Sequence, residues 1–251
     1  MKKIRVVARL DINNEYVIKG KYFEGLRKVG KPNELANRYY YDGIDEILFL
    51  DSVASLYDRN SLTDIIRQAC LEIFVPITVG GGIRTLEDIQ HALNAGADKV
   101  AINSQAVRDI NFIREAIEAF GSQAIVGSVV GIRHRNRWEA FMDNAKHRTQ
   151  HNAIEWAKFL EENGVGEIVV SSIDKDGIEK GFEVDLIRQI SECVNIPVIA
   201  ASGAGDSRHI VEVCKNTQCD AVAVGSILHY GRQSVSEIKN AMKESGIEVR
   251  I

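Results

Sequence analysis

The residues with most chemistry in them are glycines placed directly after short β-branched runs. Gly80, Gly81 and Gly82 follow the run at 77–79, and Gly203 and Gly205 follow the run at 198–200. Glycine lets backbone N–H groups approach an anion closely, and a helix beginning just beyond adds its positive end. Asn103 with Ser104, and Gly225 with Ser226, follow the neighbouring runs and complete two cradles of one kind. The bland alternative is that these glycines merely end strands tightly. Asp11, Asp51, Asp174 and Asp176 each fall at or just beyond the end of a strand-like run, where a carboxylate can act as a general acid or base. Asp51 and Asp174 also suit a capping role, whereas Asp11 closes an apolar run and is the stronger catalytic candidate. The segment 13–31 after it carries Lys19, Lys21 and Phe23 among Gly20, Gly25 and Gly30, a composition suited to a mobile lid that brings cations to a phosphate. Arg5, Glu46, Lys99 and Glu167 open four different runs. On spacing alone, two acids and two bases there read as an ion-pair network plugging one end of the fold.

These residues need a scaffold that gathers strand ends. Eight short β-branched runs, at 4–10, 46–50, 77–79, 99–102, 124–130, 167–170, 198–200 and 221–224, alternate with segments of helical period at 33–41, 61–73, 85–95, 110–120, 153–162, 184–193, 207–214 and 234–243. Eight strands each followed by a helix close most simply into a (β/α)8 TIM barrel, whose C-terminal rim collects the loops. The sequence also repeats weakly: LFLDSVAS (48–55) answers VVSSIDKDG (169–177), GGGIRTLEDI (80–89) answers SGAGDSRHI (202–210), and AGADKVAINS (95–104) answers QCDAVAVGS (218–226). Each match is offset by about 120 residues, so two half-barrels meet near Gly121 and the two cradles face each other across one mouth.

With 251 residues, three prolines and no linker-like stretch, one domain over 1–251 is expected. A formal charge of −4 gives no global field to hold nucleic acid or a membrane surface, so any phosphate site must be local. No apolar run is long enough to span a bilayer, and Arg5, Arg9 and Asp11 break up what would be a signal core. Cys70, Cys193, Cys214 and Cys219 show neither CxxC spacing nor a nearby His ligand set, and read as reduced core thiols in a cytoplasmic protein with no metal and no cofactor.

With those residues in hand, the chain resembles the cyclase subunit of imidazole glycerol phosphate synthase over nearly its full length. The likeness runs through ARLDI (8–12), VIKGKYFEGLRKVG (17–30), GIDEILFLDSVAS (43–55), ITVGGGI (77–83), GADKVAIN (96–103), FGSQA (120–124), GEIVVSSIDKDG (166–177) and SGAG (202–205). It implies a barrel with half-barrel symmetry, a partner glutaminase docked at the N-terminal rim, and ammonia passing through the barrel. It turns the Arg5, Glu46, Lys99 and Glu167 set from a plug into an ammonia gate. It also implies phosphate contacts at Lys19, Gly82, Asn103, Ser104, Asp176, Gly177, Gly203, Gly225 and Ser226, with Asp51 beside them as a substrate-binding residue.

One departure changes the expected chemistry. The family's cyclase pairs an aspartate ending strand one with another ending strand five; Asp11 is present, but the second position is Val130, and no carboxylate occurs from 121 to 138. Valine relays no proton, and the loss of a positioned acid or base costs about 10²–10⁴-fold. The segment 143–156 also differs from the family's threonine-glycine pattern, and Ile178 replaces a polar residue. His134, His147 and His151 lie nearby; a solvent-facing turn explains them, or one supplies the missing proton chemistry. The leading expectation is a divergent member that delivers ammonia to a phosphorylated or nucleotide-activated sugar, turning an acetamido into an acetamidino group in surface-polysaccharide synthesis. The alternatives are the histidine-pathway cyclase reaction and a non-catalytic scaffold that activates its glutaminase.

Overall fold

The computed structural model describes residues 2–52 and 62–250. Eight parallel strands close on themselves: β1 (Arg5–Asn13), β4 (Glu46–Asp51), β5 (Ile77–Gly80), β6 (Lys99–Ile102), β7 (Ile125–His134), β10 (Glu167–Ser172), β11 (Val198–Ala201) and β12 (Ala221–Val224), with β10 also pairing β7 and β12 pairing β1. The chain is therefore a (β/α)8 TIM barrel, with helices on its outside. They are α1 (Pro32–Tyr41), α2 (Thr63–Glu72), α3 (Leu86–Asn94), α5 (Ile110–Phe120), α6 (Ala153–Glu162), α7 (Val184–Cys193), α8 (Ser207–Asn216) and α10 (Val235–Glu244), with the short α4 (Ser104–Arg108) and α9 (Ser226–His229) between them. Ser61, expected to open the second helix, and residues 53–55 of the repeat lie outside the described residues.

The two faces of each strand bury different things. Val6, Ala8, Leu10 and Ile12 of β1 point out to the helices, with Phe49, Ile77, Ile125 and Ile168 from other strands. Burial of side chains of this size is worth about 1.5–3 kcal/mol each. The alternate residues Val7, Leu48, Ala101, Val126, Val169, Ile199 and Ala223 form a separate inner cluster around the barrel axis. That two-residue period fixes which side chains reach the axis above and below it.

Asp45, Asp98 and Asp220 tie strand starts together: their carboxylates accept the N–H of Val6 at 2.7 Å, Ile77 at 2.8 Å and Val198 at 2.9 Å. The half-repeat has geometric counterparts. Asn103 before α4 and Gly225 before α9 share an unusual backbone shape, φ −120°, ψ −80° against φ −131°, ψ −77°. Gly81 and Gly203 both have positive φ, +91° and +110°, and a Cβ on either would stand 2.1 Å from a carbonyl oxygen of Asp51 or Gly181.

Two segments differ from the sequence expectation. Residues 13–31 are an antiparallel hairpin, β2 (Tyr16–Lys21) and β3 (Glu24–Gly30), rather than an irregular lid; Val17 and Ile18 are buried and hold it to β1. Strand β7 continues past Val130 into a three-stranded ribbon with β8 (Arg137–Met142) and β9 (His147–Asn152). The histidines of this stretch therefore sit on strands: His147 meets Asp143 at 3.1 Å, and His151 stacks on Trp156 with centroids 4.8 Å apart. Of the four thiols all are free, but only Cys219 is fully buried, because Cys70, Cys193 and Cys214 lie on half-covered helix positions.

Candidate functional site

Position along β1 decides what each inward side chain does. Arg5 lies at the N-terminal end, Val7 in the apolar middle, and Arg9 and Asp11 at the C-terminal mouth. Glu46, Lys99 and Glu167 sit two residues before the inward Leu48, Ala101 and Val169, so they point to the axis at the same level as Arg5. They form a closed ring. Lys99 Nζ donates to Glu46 at 2.8 Å and Glu167 at 2.7 Å, and Arg5 donates to the same two carboxylates at 2.5 Å each. Thr78 adds a hydroxyl donor to Glu46 at 3.3 Å. Burial pulls the pKa of Arg5 and Lys99 down, but the two facing carboxylates more than offset it, and both cations are held above their ordinary values.

At the mouth, the candidate ligand-binding residues divide between two adjoining cavities. Asp11, Asp51, Gly82, Asn103 and Ser104 line the first, together with Ser128 and Val130 of β7. Lys19, Asp176, Gly177, Gly203, Gly225 and Ser226 line the second. These eleven residues, expected from sequence to take part in catalysis or ligand contact, thus gather at one end, and the four ring residues at the other. Asp174 stands apart: it accepts the backbone N–H of Arg133 at 3.1 Å, a structural role.

Lys19 and Asp11 are joined. Lys19 Nζ, buried on the hairpin, donates to Asp11 at 3.2 Å and to Asp176 at 3.1 Å. Asp176 also accepts the Phe23 N–H at 3.3 Å and the Ser202 hydroxyl at 3.4 Å, fastening the hairpin across the mouth. Gly177, with φ +67°, lets that contact close, since a Cβ there would lie 1.9 Å from the Gly20 carbonyl oxygen.

The residue that sequence reasoning missed is Arg9. Its Nε donates to Asp11 at 2.8 Å, its Nη1 to Ser171 at 2.9 Å, and its guanidinium lies 5.6 Å from the centroid of the Phe23 ring. Burial raises the pKa of Asp11, but Arg9 and Lys19 outweigh it and hold the carboxyl down at about 2. Asp11 is therefore a fixed anion at neutral pH and a weak base. The signal was available: Arg9 stands at even spacing from Arg5, Val7 and Asp11 on a strand whose odd positions face the axis.

Behind the second cavity His229 is buried, its Nε2 donating to the Arg9 carbonyl oxygen at 3.1 Å and its Nδ1 accepting from the Tyr39 hydroxyl at 2.7 Å. At the opposite rim Tyr41, Leu71 and Phe74 are large apolar side chains left mostly exposed, at 78%, 77% and 79%. Tyr41 and Leu71 lie near the ends of α1 and α2, and Phe74 follows α2, all on the side where β4 and β5 enter the barrel. Phe74 packs edge-on against Tyr40 with centroids 6.4 Å apart. Among the described residues no cluster of three or more His, Cys, Asp or Glu is placed to hold a metal ion, and no helix is long and apolar enough to cross a membrane.

A closed barrel with twin glycine-lined cavities at its C-terminal mouth and a ring of two acids and two bases at its other end defines a narrow class of α/β barrel. The sequence comparisons agree: the family model described as histidine biosynthesis protein matches residues 5–234. The chain is also 42% identical over 247 residues, 98% of each chain, to the imidazole glycerol phosphate synthase subunit HisF of Dehalococcoides mccartyi. The chain belongs to this histidine-biosynthesis barrel family, in its HisF-like branch.

Proposed function

We propose that this chain is the ammonia-using subunit of a glutamine-dependent synthase. A glutaminase subunit docks on the N-terminal rim, ammonia enters past the Arg5–Glu46–Lys99–Glu167 gate, and a phosphorylated ligand waits at the mouth. The observation that supports this best is continuity along the axis. A charged ring, an apolar collar built from Val7, Leu48, Ala101, Val126 and Val169, and a polar mouth follow one another in that order. A neutral, small nucleophile suits such a path, while an ion pays heavily to enter the collar. The exposed Tyr41, Leu71 and Phe74 lie on the ring's side of the barrel and give the partner an apolar landing surface.

At the mouth the two cradles hold phosphate groups through Lys19, Gly82, Asn103, Ser104, Asp176, Gly177, Gly203, Gly225 and Ser226, with Asp51 beside the reacting part. Asp11, fixed as an anion, accepts an N–H of the arriving ammonia and so orients it. Val130 faces the same cavity and relays no proton. For that reason we favour ammonia addition to the acetamido carbon of a nucleotide-linked sugar of surface-polysaccharide synthesis, the adduct oxygen then leaving on a phosphoryl group taken from a nucleoside triphosphate so that an acetamidino group remains. Closure of an imidazole ring needs two opposed carboxylates. The second reading, the cyclase step of histidine biosynthesis, draws its support from the 42% identity to the HisF subunit. A third, a scaffold that only activates the glutaminase, keeps the ring but leaves the cradles without purpose.

The deciding experiment is nitrogen transfer. The purified chain is incubated with ¹⁵N-ammonium and either an acetamido nucleotide-sugar with magnesium and a nucleoside triphosphate, or the ribulosyl aminoimidazole-carboxamide ribotide, and products are read by mass spectrometry. Label in the nucleotide-sugar supports the favoured reading and label in imidazole glycerol phosphate the second. Label in neither, with glutaminase stimulated by the chain, overturns both in favour of the scaffold.

A further inference from the structure

The two mouth cavities meet at one residue: among the described residues, Arg9 is the only one that lines both. A ligand anchored in both cradles must cross that point. It is also where the apolar collar ends, since Arg9 is the next inward position after Val7 on β1 and Ser171 the next after Val169 on β10. Arg9 therefore stands where a nucleophile leaving the axis would meet the middle of a doubly anchored ligand.

Its donors are already divided. A guanidinium has five N–H donors in a rigid fork. Nε is spent on Asp11 and one Nη1 hydrogen on Ser171, which fixes the plane of the group. Nη2 has no hydrogen-bond partner among the described residues. A largely buried cation with its plane locked and one end unspent is preorganised for an anion that forms during reaction. Pairing alone does not account for it, because Lys19 by itself would keep the Asp11 carboxylate paired.

We propose that Arg9 is the oxyanion donor of this mouth: its Nη2 hydrogen-bonds the oxygen of the carbonyl or amide carbon that ammonia attacks, while Asp11 and Ser171 position it. This rests on the reading of the mouth as an anion-anchoring, ammonia-receiving site. In the addition step the nitrogen lone pair forms the N–C bond and the carbon–oxygen π pair moves to oxygen. The adduct carries positive charge on nitrogen and negative charge on oxygen. Asp11 faces the first and Arg9 the second. Two fixed charges of opposite sign thus stabilise the adduct without a proton leaving either residue, which fits a mouth whose opposing position is Val130.

The test uses the full chain and stand-ins for the adduct oxygen: ω-phosphorylated carboxylates of two to five carbons, each compared by calorimetry with the alkyl phosphate of equal length. In the wild type at least one carboxylate binds about tenfold or more tighter than its alkyl partner, the gain expected of a hydrogen bond to a charged group. Arg9→Gln and Arg9→Leu remove that advantage, each carboxylate then binding no tighter than its alkyl partner, a paired comparison that cancels any general loss of phosphate affinity. A measurement on the wild type alone covers the case of variants that fold poorly: the ¹⁵N resonance of the Arg9 side chain shifts with the preferred carboxylate and not with the alkyl phosphate. Equal binding of the paired compounds in the wild type, an advantage kept in both variants, or an unmoved Arg9 resonance overturns the proposal. Absence of any phosphate binding to the wild type overturns instead the anion-cradle reading beneath it.

Discussion

Val130 on β7 and Asp11 on β1 line the same cavity at the barrel mouth, one an apolar side chain and the other a carboxylate held ionised by Arg9 and Lys19. If ring closure was lost because this position cannot carry a proton, restoring a carboxylate should restore it. Val130→Asp is expected to raise ammonium-dependent formation of imidazole glycerol phosphate by about 10²-fold or more, the ordinary contribution of a positioned acid or base. Steady-state assay with the ribulosyl ribotide and ammonium salt checks it; an unchanged rate means that the rest of the mouth has also diverged.

His229 sets a pH dependence of folding. Burial first, and the Lys19 cation second, push its pKa from 6.5 down to about 4. The unfolded chain therefore takes up the proton before the folded one does. Stability contributed by the neutral ring is complete above pH 6.5 and is lost as the pH falls towards 4, by up to about 3 kcal/mol. Urea midpoints at pH 7.5, 6.5, 5.5 and 4.5 should show His229→Gln costing stability at neutral pH, with the gap to wild type narrowing through that window.

Gly203 is where conformational freedom is required in the second cradle. Its φ of +110° disfavours any side chain, and a Cβ would press on the Gly181 carbonyl oxygen. Gly203→Ala is expected to destabilise the fold by about 1–3 kcal/mol and to close the second cavity. Titration of inorganic phosphate followed by ³¹P NMR should then fall from two sites per chain to one.

The barrel and most of the mouth were legible in the sequence because strand alternation and glycine position are local signals. All eight barrel strands fall within a few residues of their expected positions. The ribbon after β7 was not legible, since β9 reads HRTQHN, with no apolar alternation and no residue fully buried; its pairing with β8 alone makes it a strand. The hairpin at 16–30 carried a signal in YVIKGK, but three glycines argued for a loop. Arg9 escaped for a different reason. A charge inside an apolar run reads as an interruption until the closed barrel shows Asp11 and Ser171 waiting for it.

The ring offers a test that separates passage from chemistry. Lys99→Met leaves Arg5 as the one cation of the ring shared by Glu46 and Glu167, and the loss of one partner from a largely buried network costs about 3 kcal/mol. If the ring gates ammonia, the variant should make less product from glutamine while its rate with ammonium salt at the mouth is unchanged. Equal losses with both nitrogen sources would assign the ring to stability alone.

Phe74 and Leu71 make the partner surface testable without touching ring or mouth. Both are mostly exposed, so replacing them with serine should leave the chain's own stability within about 0.5 kcal/mol. Aromatic and large aliphatic side chains at the centre of an interface often carry more than 1 kcal/mol each. The double variant Leu71→Ser, Phe74→Ser is therefore expected to weaken the glutaminase complex by about tenfold or more, read by sedimentation or calorimetry. Ammonium-driven turnover should stay at the wild-type rate, because ammonia supplied from solution does not depend on the docked subunit. Undiminished affinity would place the docking surface elsewhere on the rim, away from the ends of α1 and α2.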